Sequence, residues 1–295
     1  MAWGVQLLFA THKSMVSALV LAGLALLAAR PAAAADSAAL PFTLEAGYRQ
    51  MYNLDFDGAH ATFQAWEAGH PDDAVGPMSN AAAYLFSEFN RLHILESELF
   101  TDNYKFAKRE KPVPDPQTRA AFDGELAKGD AIADRVLSGA PQDANALFAK
   151  VMASGLRGDY AAMIEKRNMA GLGYLKNGRQ LAQKLLILDP SCYDAYLAVG
   201  VENYLLSANS APVRWLLRMG GAETNKEEGI ANLRLTAEKG HYLAPYARLL
   251  LAVAALRDHD REGARRLLSG LAEEFPQNQL YRNELARLQP QVTPR

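Results

Sequence analysis

The chain has 295 residues, 49% of them hydrophobic and 22% charged, a balance that suits a globular protein with a buried core and excludes a disordered or fibrous one. Thirty-one basic against thirty-three acidic side chains leave a net charge of −2, so no strong positive field exists to hold nucleic acid. The single cysteine, Cys192, excludes an internal disulfide and a cysteine-based metal cluster.

Taken in chain order, residues 1–35 read as an export signal. Lys13 supplies a short basic region ahead of the apolar run Val16–Ala29, and Ala33 and Ala35 are the small residues that place cleavage between Ala35 and Asp36. The run is 14 residues long, shorter than the ~20 that a membrane-spanning helix needs. Cleavage is therefore the expectation, and retention of the run as an uncleaved anchor is the competing one. No cysteine stands at the cleavage point to carry a lipid. The mature chain, 36–295, keeps 29 basic and 33 acidic side chains, a net charge of −4, and is expected in the periplasm, the cell envelope or the medium, with no stable membrane span.

Beyond residue 40, Leu, Ala and aromatic residues recur every three or four positions and period-two alternation is rare, which predicts about a dozen helices of roughly 10–25 residues. The start and stop signals agree. Asp115-Pro116 reads as an N-cap followed by proline at the first helical position. Thr224 and Glu227 have the spacing of a capping box, and Gly139, Gly158 and Gly240 stand where helices end. Tyr160–Leu188 reads as one long helix with Gly171, Gly173 and Gly178 as close-contact points. A basic, proline-rich connection lies near 101–116, with Lys105, Lys108, Arg109 and Lys111 leading into Pro112.

Four helix ends share one grammar. Pro71, Pro141, Pro190 and Pro276 are each preceded by a small residue at twelve positions, Ala59, Gly129, Gly178 and Ala264. Eight positions before them stand Phe63, Ala133, Ala182 and Leu268, and five before stand Trp66, Val136, Leu185 and Leu271. These offsets keep all three residues on one helical face. A small residue lets a second helix cross closely, the bulkier pair fills the space beside it, and proline stops the helix before the next begins. Gly200, in the run Asp194–Gly200, is the small residue of the unit that follows Pro190.

This grammar resembles the tetratricopeptide repeat, in which helix pairs carry small residues at their crossing and a proline after the second helix. The segments around Leu54–Ala59 with Pro71, Leu188–Gly200, and Asp258–Ala264 with Pro276 carry the likeness best. Pro212–Gly221 with Lys226–Ile230 also resembles a segment of an irregular branch of such repeat proteins. The prolines are 70, 49 and 86 residues apart, so the units are degenerate and not the regular 34-residue copies. The resemblance implies an all-α fold, a right-handed superhelical array of antiparallel helix pairs.

Few residues suggest chemistry. Glu88, Asn90, Arg91, His93, Glu96 and Glu98 lie on one helix, and His93 and Glu96 share a face, yet a di-metal carboxylate site needs two Glu-x-x-His motifs and only one reversed His-x-x-Glu is present. Glu202 and Asn203 interrupt an apolar run, so Glu202 needs a partner if buried; Lys166 and Arg167 are the expected ones. Gly171, Gly173 and Gly178 follow a helical pattern and carry no Gly-Lys-Ser/Thr, so they are not a phosphate loop. Gly220 and Gly221 read as a helix end, and Trp215 as a core residue. Cys192, after Asp189-Pro190, is expected to pack and not to react. No nucleophile elbow and no His-Glu-x-x-His occurs. The expectation is a non-catalytic scaffold or adaptor that binds a protein or peptide, with no cofactor and no metal. The resemblance implies a concave surface onto which Asn90, His93, Arg167, Asn203 and Tyr204 project. A metal-binding or enzymatic protein using Glu88, His93, Glu96 and Glu202 is the alternative.

Overall fold

The computed structural model describes residues 42–94, 110–207 and 225–288, all within the second of the two units into which the chain divides, Met1–Ala39 and Leu40–Arg295. The signal sequence with Ala35 and Asp36, the side chains Glu96 and Glu98, the basic residues 105–109, Trp215 and the glycines at 220 and 221 lie outside the described residues. Among those described, every regular element is a helix. The α-helices are α1 (Leu44–Tyr52), α2 (Phe56–Gly69), α3 (Val75–Arg91), α4 (Pro116–Gly139), α5 (Ala144–Asp159), α6 (Asn168–Leu188), α7 (Tyr196–Ser207), α8 (Lys226–Lys239), α9 (Ala244–Arg257), α10 (Arg261–Glu274) and α11 (Gln279–Arg287).

Local chemistry explains most of the boundaries. Short polar side chains accept the first free N–H groups: Thr43 takes Ala46, Asp55 takes Gly58, Asp115 takes Thr118 and Asp260 takes Gly263. Asp115 followed by Pro116 behaves as its sequence predicts. The capping box at 224–227 does not: Asn225 is the cap, its Oδ1 accepting from the N–H groups of Glu227 (3.1 Å) and Glu228 (3.2 Å). An amide one residue nearer the helix satisfies both donors.

The four proline turns are one structure repeated. In each, the residue before proline donates its N–H to the residue five before proline: His70 to Trp66 (2.9 Å), Ala140 to Val136 (2.8 Å), Asp189 to Leu185 (2.8 Å) and Phe275 to Leu271 (2.9 Å). The residue two after proline then donates back across the turn, Asp73 to His70, Asp143 to Ala140, Cys192 to Asp189 and Asn278 to Phe275. In three copies that residue's side chain also accepts an N–H at the start of the next helix, Asp143 and Asn278 as N-caps and Asp73 one residue before the cap; at the third it is Cys192, whose side chain has no oxygen, and a short 3-10 turn, Tyr193–Ala195, precedes α7 instead. Ala59, Phe63, Ala133, Ala182, Ala264, Leu268, Leu185 and Leu271 of the predicted face are buried, while Trp66 and Val136 of the same face are only partly buried against the core. A Cβ on Gly129 would stand 2.6 Å from the Met78 methyl and 3.3 Å from Ala74 O, so α3 and α4 cross closely at this glycine. Gly200 and Gly229 perform the same service between α7 and α8, where a Cβ on either meets backbone within 3.0 Å.

The expected single helix over 160–188 is two elements. After α5 the chain takes one wide turn, Tyr160–Ile164, then Lys166 adopts φ 56° and α6 starts at Asn168. Tertiary packing overrides a continuous helical pattern here: the Tyr160 ring stacks on Phe122 of α4 (5.1 Å) beneath the Arg119 guanidinium (3.9 Å). Within α6, Gly171 and Gly178 make close contacts, while Gly173 faces open space.

Each helix packs on its chain neighbours, giving adjacent pairs α1/α2, α3/α4, α5/α6, α7/α8 and α9/α10, with α11 following, and α3 also packs on α1 and α5. The chain then returns on itself. The Tyr52 hydroxyl donates to Tyr242 O (3.1 Å), the Asn278 amide donates to Tyr52 O (2.8 Å), and the Tyr48 ring stacks on Tyr242 (5.0 Å). Thus α1 is pinned to the turns that follow α8 and α10. An aromatic layer of Tyr48, Tyr52, Phe86, Tyr242, Tyr246 and Phe275 seals this junction.

Candidate functional site

The five residues expected on one surface occupy two environments. Asn90 and His93 are exposed at the end of α3, His93 in the left-handed region at φ 55°. Arg167 is exposed just before α6 and pairs with Glu165 (3.2 Å). Asn203 and Tyr204, by contrast, are buried at 0% and 7% exposure in the packing of α7. The Asn203 amide finds no hydrogen-bond partner among the described residues. Glu202 forms the buried ion pair that an interrupted apolar run required, but its partner is Arg179 of α6 (2.5 Å) and neither Lys166 nor Arg167. The break after α5 separates residues 165–167 from α6, and Arg167 is exposed, while Arg179, three turns into α6, reaches Glu202 of α7.

Glu88 is structural. It accepts both nitrogens of the Arg91 fork (2.8 and 2.7 Å) and the backbone N–H of Asp115 (2.8 Å), and Arg91 reaches Val113 O (2.8 Å). The pair thereby clamps the end of the proline-rich connection onto α3. Among the described residues no three His, Cys, Asp or Glu side chains stand close enough together to hold a metal ion. Cys192 packs partly buried against the core, and burial pushes its thiol up to about 11, which disfavours the nucleophilic thiolate.

Three features escaped the sequence reading because each joins residues far apart in the chain. Asp194 accepts N–H bonds from His241 (2.9 Å), Tyr242 (3.1 Å) and Leu243 (2.8 Å), tying the start of α7 to the turn before α9. A polar layer crosses α2, α3 and α4: the buried Asn80 amide donates to Glu67 (3.3 Å) and Glu125 (3.0 Å), its Oδ1 meets His60 Nδ1 (2.7 Å), and Lys128 binds Glu67. Burial, with Glu67 beside it, pushes Glu125 up to about 7. Asp159, half-buried at the end of α5, is also pushed up to about 7 by burial and receives the Tyr246 hydroxyl at 3.4 Å.

The third feature is a groove of about 530 Å³ between α8 and α10, floored by α9. Each helix contributes one stripe at helical spacing: Ile230, Arg234 and Ala237 from α8, Gly263, Leu267 and Gly270 from α10, with Leu251 and Ala254 beneath. It is an apolar slot with charged walls.

Set against known proteins, the sequence matches no family model, and no curated protein matches it significantly.

Proposed function

We propose that the mature protein is an exported, non-catalytic binding scaffold built on a tetratricopeptide-like superhelical array, and that its ligand is a protein or peptide. The observation that carries this reading is the fourfold recurrence of one hydrogen-bonded turn after one packing face. A helix pair cannot bury its own apolar face, so copies of it stack, and stacking creates slots between successive outer helices that suit peptide ligands. The groove between α8 and α10 is such a slot. The N-terminal apolar run with its small-residue site supports export.

Chemical cross-linking of the native protein in its own envelope, followed by capture and mass spectrometry, tests the scaffold. A few reproducible proteins that also bind the purified chain 36–295 directly are the expected result. Recovery of the protein alone, with stoichiometric metal on elemental analysis, would overturn it in favour of metal chemistry. N-terminal sequencing of the native chain tests export: a start at Asp36 is expected, and a retained Val16–Ala29 would refute it.

A further inference from the structure

The contacts that bring the chain back onto itself run along one aromatic layer. Tyr48 of α1 stacks on Tyr242 in the turn before α9. The Tyr52 ring meets Phe86 of α3 edge-on (6.3 Å), and Phe86 meets Tyr246 of α9 in the same way (5.2 Å). The polar fasteners are the Tyr52 hydroxyl on Tyr242 O, the Asn278 amide on Tyr52 O and the Gln277 N–H on Asn53 Oδ1 (3.2 Å). At the rim His241 pairs with Glu45, an exposed contact that is charged on both sides only while the imidazole is protonated.

One carboxylate borders this layer. Asp159, the last residue of α5, receives the Tyr246 hydroxyl at 3.4 Å, and Tyr246 is the one titratable side chain that meets it among the described residues. The helices α3, α4 and α6 pack on α5 yet bring it no cation. Arg157, two residues before it, is turned to Asp130 of α4 (2.5 Å), and Arg119 of α4 serves Asp123 (2.6 Å) and Glu165 (3.2 Å). A carboxyl group with one long hydrogen bond beside aromatic rings is tolerated as the neutral acid and costly as the anion. Burial holds its proton up to about 7, against an ordinary value of 3.8. Once released from the layer the group ionises in water, so the closed form binds the proton more tightly and rising pH weakens closure.

We propose that this junction is a proton-operated latch: while Asp159 is protonated, Tyr246 and Tyr242 stay docked against α3 and α1, and loss of that proton loosens them and frees α1 from the turns after α8 and α10. The latch concerns how the chain opens and not what it binds, so it stands apart from the scaffold reading. His241 works in the same direction, because its charge beside Glu45 is lost as pH rises, but the pair is solvent-exposed and adds little. Between pH 5.5 and 8.5 the Asp159 proton should raise the open-to-closed ratio about tenfold. A fully walled-off group would give about thirtyfold, and the solvent that already reaches this half-buried one reduces it.

Spin labels at Arg49→Cys on α1 and Glu238→Cys near the end of α8, both exposed positions, in a Cys192→Ser background read the junction by double electron–electron resonance on the purified protein. At pH 5.5 the single distance of the closed chain is expected. At pH 8.5 a longer distance joins it, with the helical circular dichroism unchanged. Asp159→Asn keeps the shape and the hydrogen bond but cannot ionise, so it should show the closed distance alone at both pH values. It leaves His241, Glu45 and Glu125 in place, so their titration cannot imitate the result. A natural Asp159 chain with the same distances at both pH values overturns the latch, as does lengthening in Asp159→Asn equal to the natural one. Lengthening that comes with loss of helix overturns it too. Should Asp159→Asn fail to fold, Tyr246→Phe decides, because it removes the donor to the carboxylate and keeps the ring on Phe86. A larger share of the long distance at pH 8.5 is then expected, and an unchanged or smaller share overturns the proposal.

Discussion

The polar layer across α2, α3 and α4 makes stability depend on pH in a direction that can be worked out. Glu67 and Glu125 both accept from the single Asn80 amide, so their carboxylates are neighbours, and Lys128 binds the Glu67 side of the pair. Glu125 Oε2 is buried and finds no hydrogen-bond donor. Both facts disfavour charge on Glu125, whose proton leaves near 7 in the folded chain and near 4.5 in the unfolded one. The folded state therefore holds the proton more tightly. Stability is unaffected by this group below the unfolded value, falls as pH rises from about 4.5 through 7, and is level above.

A displacement of that size corresponds to roughly 3 kcal/mol for a fully walled-off carboxyl, and to about 1–2 kcal/mol here because part of the side chain meets solvent and Lys128 stands close. Glu125→Gln removes the charge while its carbonyl still accepts from Asn80. The variant should match the natural protein at pH 5 and exceed it by about 1–2 kcal/mol at pH 8.5 in urea unfolding. A difference between the two proteins that is the same at both pH values would refute the reasoning.

Other consequences are as direct. Ala264 is 0% exposed on the repeated packing face, so Ala264→Trp overpacks α10 and should cost about 1–3 kcal/mol, read as a lower melting temperature; an unchanged melt would count against the repeat assignment. Arg179→Ala removes the cation paired with the buried Glu202 carboxylate and should cost about 3–5 kcal/mol in urea unfolding, whereas Arg179→Met with Glu202→Leu should recover most of it. The Cys192 thiol, pushed up to about 11 by burial, should react with a disulfide reagent at pH 8 much more slowly in the folded chain than in denaturant. Equal rates would place it at the surface.

The helical class and the repeated turn were legible in the chain alone. Both depend on short-range chemistry: apolar spacing of three and four, a small residue twelve before a proline, a polar cap after it. The hydrogen bonds of the four turns then follow from offsets readable in the chain. The need for a partner at Glu202 was equally legible, since a carboxylate within an apolar run has few other options. Which cation answers it was not, because that depends on which face of α6 meets α7, and there Arg179 stands where Lys166 or Arg167 was expected.

Whatever depends on long loops closing emerged with the folded arrangement. Asp194 lies 47 residues from the first N–H it caps, and Asn278 lies 226 from the carbonyl it binds, so no local pattern announces either. The pinning of α1 to the turns after α8 and α10 is of the same kind, as is the convergence of Glu67, Asn80 and Glu125. The open slot over α9 is set by three helices whose stripes look ordinary one at a time. A stripe at helical spacing says that a face exists, while the partner that covers it, or leaves it bare, is chosen by where the rest of the chain packs.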